Sequence, residues 1–287
     1  MTLLRHLLPI AALAAVMLFP AVTRAEATLD RIKASGTISL GYREASVPFS
    51  YVGNDREPWG YSVELCSKVA ASIRKELKLA DLKIRWVPVT SGNRISKLKA
   101  REIDLECGST TATLSRMKEV DFSLIVFADG GSYMTRADSG IKNFGDLGGK
   151  KLAVATGTTT QKTITEALKR GNVAAEVVLV EDHDDGVAAL AQGKVDAYAS
   201  DRALLVGVAL GSGNSSAFKL ASEFFSYEPY ALMLRRDDQD FRVAVNRELA
   251  RLFRSGEILA IYERWFGAVA KPGPTLESLY FLNGLPE

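Results

Sequence analysis

One pattern occurs in both halves of the chain and constrains its fold more than any other feature. Segment 98–104, with the sequence LKAREID, is similar to segment 190–196, with the sequence LAQGKVD. Five residues after each closing aspartate comes a polar side chain, Ser109 in one half and Asp201 in the other. Both halves alternate short β-type runs with helical patterns, as α/β proteins with mostly parallel sheets do. The repeat therefore predicts two facing α/β lobes, with a ligand crevice beyond the carboxyl ends of their strands.

Hydrophobic periodicity locates the elements of the two units. A helix is predicted at 61–79, because Leu65, Val69, Ile73 and Leu77 recur at a spacing of four. The other elements predicted are strands at 37–42, 84–89, 103–107, 152–155, 177–180 and 195–200, and helices at 160–170 and 186–192. The C-terminal part carries a helical stripe that should pack as core, formed by Phe241, Val245, Leu249, Leu252 and Phe253.

The N-terminus predicts export. A basic start precedes an apolar run at 7–19, and small residues follow with a cleavage site after Ala25 or Ala27. Residues 1–27 are therefore predicted to be a signal peptide. The apolar run is short for a membrane-spanning helix, so an uncleaved anchor is the less favoured alternative. With no cysteine near the cleavage site, we expect a free exported protein, which fits a periplasm.

Charge and histidine content narrow the function classes. The chain has 36 Lys and Arg residues against 34 Asp and Glu residues, which argues against a nucleic-acid or polybasic membrane role. The two histidines are His6 and His183, so a His-rich metal centre is excluded. We find no catalytic constellation in the sequence. We therefore expect no metal, no cofactor and no nucleic-acid partner.

The two cysteines are Cys66, early on the predicted helix at 61–79, and Cys107, at the end of the predicted strand at 103–107. A pair of cysteines in an exported protein favours a disulfide. Two buried free thiols are the alternative. The choice depends on the separation of the two Cα atoms, which the sequence does not give.

A cluster of hydroxyl side chains follows the strand predicted at 103–107. Segment 107–116 reads CGSTTATLSR, so small hydroxyl residues precede an arginine that lies five positions after Thr111. Hydroxyls, free backbone amides and a guanidinium together suit a bound carboxylate. Ser and Thr before a helix also act as ordinary N-caps. The segment is thus a candidate anion site. Other motifs in the chain are needed to decide between this role and simple helix capping.

Segments along most of the predicted mature chain resemble the polar amino-acid-binding proteins that serve ABC transporters in the periplasm, in particular those that bind glutamate and aspartate. The matching segments are 41–51 (GYREASVPFSY), 90–95 (TSGNRI), 106–111 (ECGSTT), 157–159 (GTT), 182–183 (DH), 200–205 (SDRALL) and 256–267. No one of these motifs is decisive alone. Their order and spacing together are specific to this family.

The resemblance implies a two-lobed periplasmic binding protein, α/β in class, whose lobes are mostly parallel sheets flanked by helices and joined by two hinge strands. Apolar segments 131–135 and 230–234 would be those strands. Residues 28–130 and 228–287 would form one lobe, and 131–227 the other. Such a protein closes on an acidic amino acid by hinge motion and delivers it to the membrane permease of an ABC importer. We expect it to be a monomer.

The resemblance also implies which residues bind the α-carboxylate and the α-ammonium group of the ligand. Arg116 would bind the α-carboxylate, with Ser109 and Thr111 donating hydrogen bonds beside it. Asp201 would pair with the α-ammonium, since a zwitterion needs an anion opposite its positive group. The alternatives are a solvated surface cation for Arg116 and a helix N-cap for Asp201.

Thr158 and Thr159 lie between a glycine and a predicted helix. The free amides and positive dipole end of such a helix favour an anion. Plain capping is the alternative, and the two roles are compatible. We therefore include both threonines in the candidate site.

Specificity for a second carboxylate is assigned to Arg43, Arg94 and His183, with Ser91 assisting. A ligand with a neutral side chain should need one guanidinium, whereas further cations indicate a dicarboxylic ligand. The alternatives are an exposed helix position for Arg94 and a solvated histidine for His183, which lies among aspartates.

Two other function classes stay open at this stage. The same fold carries periplasmic dehydratases of the cyclohexadienyl type that act on cyclic carboxylic acids, so an enzyme is one alternative. A ligand-sensing protein for a signalling partner is the other. Product formation would identify the enzyme, and capture of a sensor rather than a permease would identify the signalling protein.

Overall fold

The computed structural model describes residues 27–286. The strands are β1 (Thr37–Tyr42), β2 (Ala45–Ser46), β3 (Ser50–Val52), β4 (Pro58–Trp59), β5 (Lys83–Pro88), β6 (Leu105–Glu106), β7 (Val120–Asp129), β8 (Gly131–Arg136), β9 (Lys151–Ala155), β10 (Glu176–Val180), β11 (Ala197–Asp201), β12 (Phe218–Leu220) and β13 (Glu228–Arg235). The α-helices are α1 (Thr28–Ser35), α2 (Tyr61–Glu76), α3 (Arg94–Lys99), α4 (Thr159–Arg170), α5 (His183–Ala191), α6 (Arg202–Gly211), α7 (Gln239–Arg254), α8 (Glu257–Phe266) and α9 (Pro274–Asn283).

Two five-stranded sheets organise these elements. The first sheet has the strand order β5-β1-β6-β13-β7, and the second has the order β10-β9-β11-β8-β12. We name each sheet with its packed helices the first lobe and the second lobe. A small sheet of β2, β3 and β4 belongs to the loop after β1. The predicted two-lobed α/β fold is confirmed.

Both sheets are mixed rather than mostly parallel. The pairs β1–β5 and β1–β6 are parallel, whereas β6–β13 and β13–β7 are antiparallel. The second sheet has the same pattern, with β9–β10 and β9–β11 parallel and β8–β11 and β8–β12 antiparallel. Parallel neighbours need a crossover, usually a helix, whereas antiparallel neighbours do not. β8 and β13, the strands beside the passage between the lobes, pair antiparallel with their neighbours.

The passage between the lobes lies at the ends of the predicted hinge segments rather than within them. β8 pairs entirely inside the second sheet, and β13 pairs entirely inside the first. β7 and β13 stay paired up to the pair Asp129 and Glu228, so the chain leaves the first lobe after Asp129 and returns to it at Glu228. Apolar character identified both segments, but it does not show where the pairing partner changes. The residue bounds given above for the two lobes stay a prediction, and the sheet membership supports it.

The closing aspartates of the repeat perform the same task in each lobe. Asp104 Oδ2 accepts a hydrogen bond of 2.8 Å from the backbone N–H of Ser39 on β1. Asp196 Oδ2 accepts one of 2.8 Å from the backbone N–H of Lys151 on β9. β1 and β9 hold equivalent positions in the two sheets. The closing aspartate of each repeat therefore makes a side-chain hydrogen bond to the neighbouring strand. β6 is shorter than the predicted strand 103–107.

The core of the first lobe packs α2, α7 and α8 against its sheet. The predicted stripe on α7 is buried, with Phe241, Val245 and Leu249 fully inaccessible. Cys66 on α2 and Cys107 after β6 form a disulfide, with their Cα atoms 6.1 Å apart. Of the two alternatives that the sequence left open, the bonded one is therefore correct.

The predicted signal peptide falls on residues that, apart from Ala27, lie outside the described part of the chain. Within residues 27–286, no helix has the length and apolar character needed to cross a membrane.

Candidate functional site

The strands of both lobes direct polar residues into one closed cleft. Ser109 and Thr111 follow β6, Thr158 precedes α4, and Asp201 ends β11. The side chains around a space of about 250 Å³ are Ser91, Arg94, Ser109, Thr111, Thr158, Thr159, Thr160, His183, Ser200, Asp201 and Leu204. Eight of the ten sequence-predicted site residues are thus brought together on its wall. The other two, Arg43 and Arg116, lie next to it.

A larger depression of about 800 Å³ lies on the second lobe beside Arg136 and Asp138. The Arg136 guanidinium donates to the carbonyl oxygens of Leu190 and Val195, at 3.3 and 3.0 Å. The Asp138 side chain is 88% exposed. This depression therefore presents solvated or already engaged groups, whereas the cleft presents buried ones.

Two buried guanidinium groups form the floor of the site on the first-lobe side, with Arg94 on the wall of the cleft and Arg43 next to it. Arg43 and Arg94 are each 2% exposed, so Arg94 is not the exposed helix residue of the alternative interpretation. Nη1 of Arg43 and Nε of Arg94 have no hydrogen-bond partner among residues 27–286. Burial, with the neighbouring Arg94, lowers the pKa of Arg43 to about 10, so it stays cationic at neutral pH. Buried donors left unpaired are costly, which marks this floor as a place for an anion.

Glu106 lies beside this floor, and sequence reasoning missed it. It is fully buried, and its Oε2 accepts a 2.7 Å hydrogen bond from Thr110. A Cβ added at Gly108 would lie 2.3 Å from Oε1 of Glu106 and 2.9 Å from Cγ of Arg43. The motif at 106–111 therefore needs a glycine at position 108, because the carboxylate and the arginine stem leave no room for a side chain.

His183 is a buried neutral imidazole rather than a solvated one. It is 2% exposed, and its Nδ1 lies 2.6 Å from the hydroxyl of Tyr198. Burial, followed by the charges of Arg43 and Arg94, lowers its pKa to about 3. His183 therefore contributes a hydrogen-bonding group to the cleft rather than a third cationic charge.

Asp201 is held by hydroxyls from both lobes. Its carboxylate accepts a 3.0 Å hydrogen bond from Thr160 and another from Tyr230. Burial, followed by the neighbouring Glu228, raises its pKa to about 8. A cation in the cleft would stabilise the ionised form, so this carboxyl group is a partner for a positively charged ligand group.

The side chain of Asp201 does not cap helix α6. The backbone N–H of Ala203 in the first turn of α6 instead donates to Oδ2 of Asp129, at 2.8 Å. Oδ1 of Asp129 accepts from the N–H of Gly130, also at 2.8 Å. Burial raises the pKa of Asp129 to about 6. The last residue of β7 therefore fixes a second-lobe helix to the passage between the lobes. Asp201 holds the N-cap position of α6, but its side chain makes no capping hydrogen bond.

Arg116 joins the two lobes at the rim of the cleft. Its Nη1 donates to the carbonyl oxygen of Thr111 at 2.9 Å, and its Nη2 to that of Gly157 at 3.1 Å. Burial, followed by the charge of Arg94, lowers its pKa to about 10. Arg116 is therefore an engaged interlobe cation and not a solvated surface residue. Its contact with a ligand carboxylate stays a prediction.

Thr158 caps helix α4 and also lines the cleft. Its hydroxyl accepts from the backbone N–H of Gln161 at 3.1 Å and donates to the carbonyl oxygen of Ala155 at 2.7 Å. The capping role is thereby confirmed, and it orients the first turn of α4 towards the cleft. An anion contact at this helix end stays a prediction.

Glu228 is the second acidic residue that sequence reasoning missed. It is 1% exposed, and its Oε2 accepts hydrogen bonds from the hydroxyls of Thr111 and Thr159, at 2.7 and 2.6 Å. The predicted donation from Thr111 to a ligand carboxylate is therefore wrong for this arrangement, because its proton is already committed. No local pattern indicates Glu228, since Thr111 lies 117 residues away in the chain.

Comparison with known proteins places the chain in a wider group. Residues 38–268 match the family described as bacterial extracellular solute-binding proteins, family 3. The L-glutamate/L-aspartate-binding protein of Pseudomonas aeruginosa is 36% identical over 91% of this chain and 87% of its own length. A glutamate/aspartate import solute-binding protein of Salmonella typhimurium is 34% identical over 84% of this chain and 80% of its own length.

A solved structure, that of the solute receptors for L-cysteine of Neisseria gonorrhoeae, superposes with a TM-score of 0.76. It is 25% identical and covers 86% of this chain and 98% of its own. The fold, the closed cleft between two lobes and the match over most of the chain agree. The chain is a member of family 3 of the bacterial extracellular solute-binding proteins.

Proposed function

We propose that this protein captures L-glutamate or L-aspartate between its lobes and delivers it to an ABC importer. The observation that carries the proposal is a pair of buried guanidiniums with unpaired donors, Arg94 in the cleft that Asp201 also lines and Arg43 next to that cleft. Such a cleft has cations for two carboxylates and an anion for one ammonium. The names of the relatives from Pseudomonas and Salmonella support the same ligand class.

The side-chain carboxylate of the ligand binds Arg43 and Arg94, with His183 and Ser91 completing the contacts. Nδ1 of His183 lies 2.6 Å from the hydroxyl of Tyr198. In the proposed arrangement this hydroxyl donates to Nδ1, and the single proton of the neutral ring lies on Nε2 and is donated to the carboxylate. Ser91 Oγ is buried with no hydrogen-bond partner in the described part of the chain, which leaves its hydroxyl free for the ligand.

The α-ammonium binds Asp201 in the second lobe. The α-carboxylate binds Arg116 and Ser109 on the first lobe and the first turn of α4, which begins at Thr159, on the second. Ligand contacts thus come from both lobes, so the ligand stabilises the closed arrangement. Binding of the ammonium favours the ionised form of Asp201, because opposite charges stabilise each other.

Export and partner follow from the same proposal. The signal peptide is removed after Ala25 or Ala27, and the mature protein is a periplasmic monomer. Its partner is the membrane permease of an ABC importer, which binds the closed form. The extracellular family and the importer named in the Salmonella relative support this proposal.

Thermal unfolding of refolded, ligand-stripped protein tests the ligand class. At one hundred times the dissociation constant a ligand adds about 2.7 kcal/mol, which raises the melting temperature of a chain this size by about 5 °C or more. L-glutamate and L-aspartate should give this rise, and neutral amino acids should not. A rise with neutral amino acids alone would contradict the proposal. Conversion of a cyclohexadienyl carboxylic acid by the purified protein would favour the dehydratase instead.

A further inference from the structure

Glu228 occupies the position where the chain returns from the second lobe to the first. It is the first residue of β13 and pairs with Asp129 at the end of β7. Its side chain is 1% exposed, although a carboxylate is costly to bury without partners. The hydrogen-bond partners of Glu228 must therefore offset the cost of burying its carboxylate.

Those partners are hydroxyl groups from both lobes. Oε2 accepts from Thr111 in the first lobe and from Thr159 in the second, at 2.7 and 2.6 Å. Oε1 accepts from Ser226 at 2.6 Å. The hydroxyl oxygens of Thr111 and Thr159 lie 3.3 Å apart, so one carboxylate oxygen gathers two hydroxyls across the closed cleft.

The count of protons decides what these hydroxyls can do. Each threonine has one O–H proton, and a carboxylate can only accept. Since both protons point to Glu228, the lone pairs that remain on Thr111 and Thr159 can only accept hydrogen bonds. Both side chains line the cleft, and so does Asp201. A ligand group that meets them must therefore be a donor.

We propose that Glu228 is a positioning residue that turns Thr111 and Thr159 into acceptors for the ligand ammonium. The protein thereby prefers dicarboxylic acids that carry an α-amine over those that do not. An ammonium has three protons to donate. Asp201 takes one, and the two threonines, one from each lobe, take the others. This inference rests on the proposed function, because it needs an amino-acid ligand in the cleft.

Glu228→Met tests the inference. A methionine side chain of similar length has no carboxylate oxygen to receive the two hydroxyl protons, so Thr111 and Thr159 are no longer fixed as acceptors. We measure competition against radiolabelled L-glutamate by unlabelled L-glutamate and by L-2-hydroxyglutarate, which has a hydroxyl group where glutamate has its amine. E228M should bind L-glutamate at least tenfold more weakly and change its affinity for L-2-hydroxyglutarate less than threefold.

Ser226→Ala is the matched control, because it removes a hydroxyl from the other oxygen of the same carboxylate and leaves the threonines in place. It should change both affinities less than threefold. Melting temperatures without ligand show whether E228M is folded.

Equal losses for the two ligands in E228M would mean that Glu228 only supports the fold, and would overturn the inference. A loss for L-glutamate below tenfold would also overturn it. If L-2-hydroxyglutarate does not compete even with the wild type, the tenfold criterion for L-glutamate decides alone. A wild type that binds no amino acid would instead refute the proposed function, which separates the two failures.

Discussion

Arg94→Met is expected to weaken L-glutamate binding by about 30-fold to several thousand-fold. Removing a charged donor from a buried carboxylate costs about 2–5 kcal/mol, and about 1.4 kcal/mol corresponds to a factor of ten. Arg94 is buried at the start of α3 and lines the cleft, so water cannot easily replace its guanidinium. Binding of L-glutamine should fall much less, because its side-chain amide carries no charge. Calorimetric titration with both ligands measures the two changes.

Lys99→Met provides the matched control for this variant. It removes a cation from the same helix, but Lys99 forms an ion pair with Glu119 in which both side chains are about half exposed. Exposed pairs contribute little, so this variant should bind both ligands as the wild type does. If R94M weakened L-glutamate and L-glutamine equally, Arg94 would not contact the side-chain carboxylate. An unchanged affinity for L-glutamate would contradict the assignment altogether.

Removal of the disulfide should have the largest effect on stability. The bond between Cys66 and Cys107 closes a loop with a sequence separation of 41 residues, for which the chain-entropy relation gives about 4 kcal/mol. The double variant C66A/C107A should therefore lose about this much free energy of unfolding in urea. The closed loop contains Ser91 and Arg94, so the bond also limits the unfolded chain in the segment that carries half of the first-lobe wall.

Reductant supplies the control for the disulfide. Urea unfolding of the wild type in dithiothreitol should approach the stability of the double variant, whereas the variant itself should be insensitive to the reagent. A loss below about 1 kcal/mol would mean that the crosslink does not stabilise the fold through the unfolded chain. Far-ultraviolet circular dichroism before unfolding establishes that both proteins begin folded.

The repeat was a sound guide to the fold because it encodes a local structural task. Asp104 and Asp196 each accept a hydrogen bond from a neighbouring strand, so an aspartate recurs at the same place in both sequence repeats. The direction in which two strands pair produces no comparable sequence pattern. The strands around the passage between the lobes pair antiparallel, and an apolar run looks the same in either direction.

The candidate site divides in the same way. Arg43, Arg94 and Asp201 were found because they lie in motifs that resemble a known family. Glu228 was missed because its two cleft partners lie 117 and 69 residues away and in different lobes. The disulfide stayed open for a related reason, since the distance between two cysteines is a property of the fold. Pairings across the cleft are visible only once both lobes are in place.

The central claim is that the cleft selects a second carboxylate, and calorimetric titration of the refolded, ligand-stripped wild type tests it most directly. L-glutamate or L-aspartate should bind with one site per chain, and the corresponding neutral amide, L-glutamine or L-asparagine, should bind at least tenfold more weakly. Equal binding of acid and amide, or a preference for neutral amino acids, would contradict the roles of Arg43 and Arg94 while leaving the family and the fold unaffected.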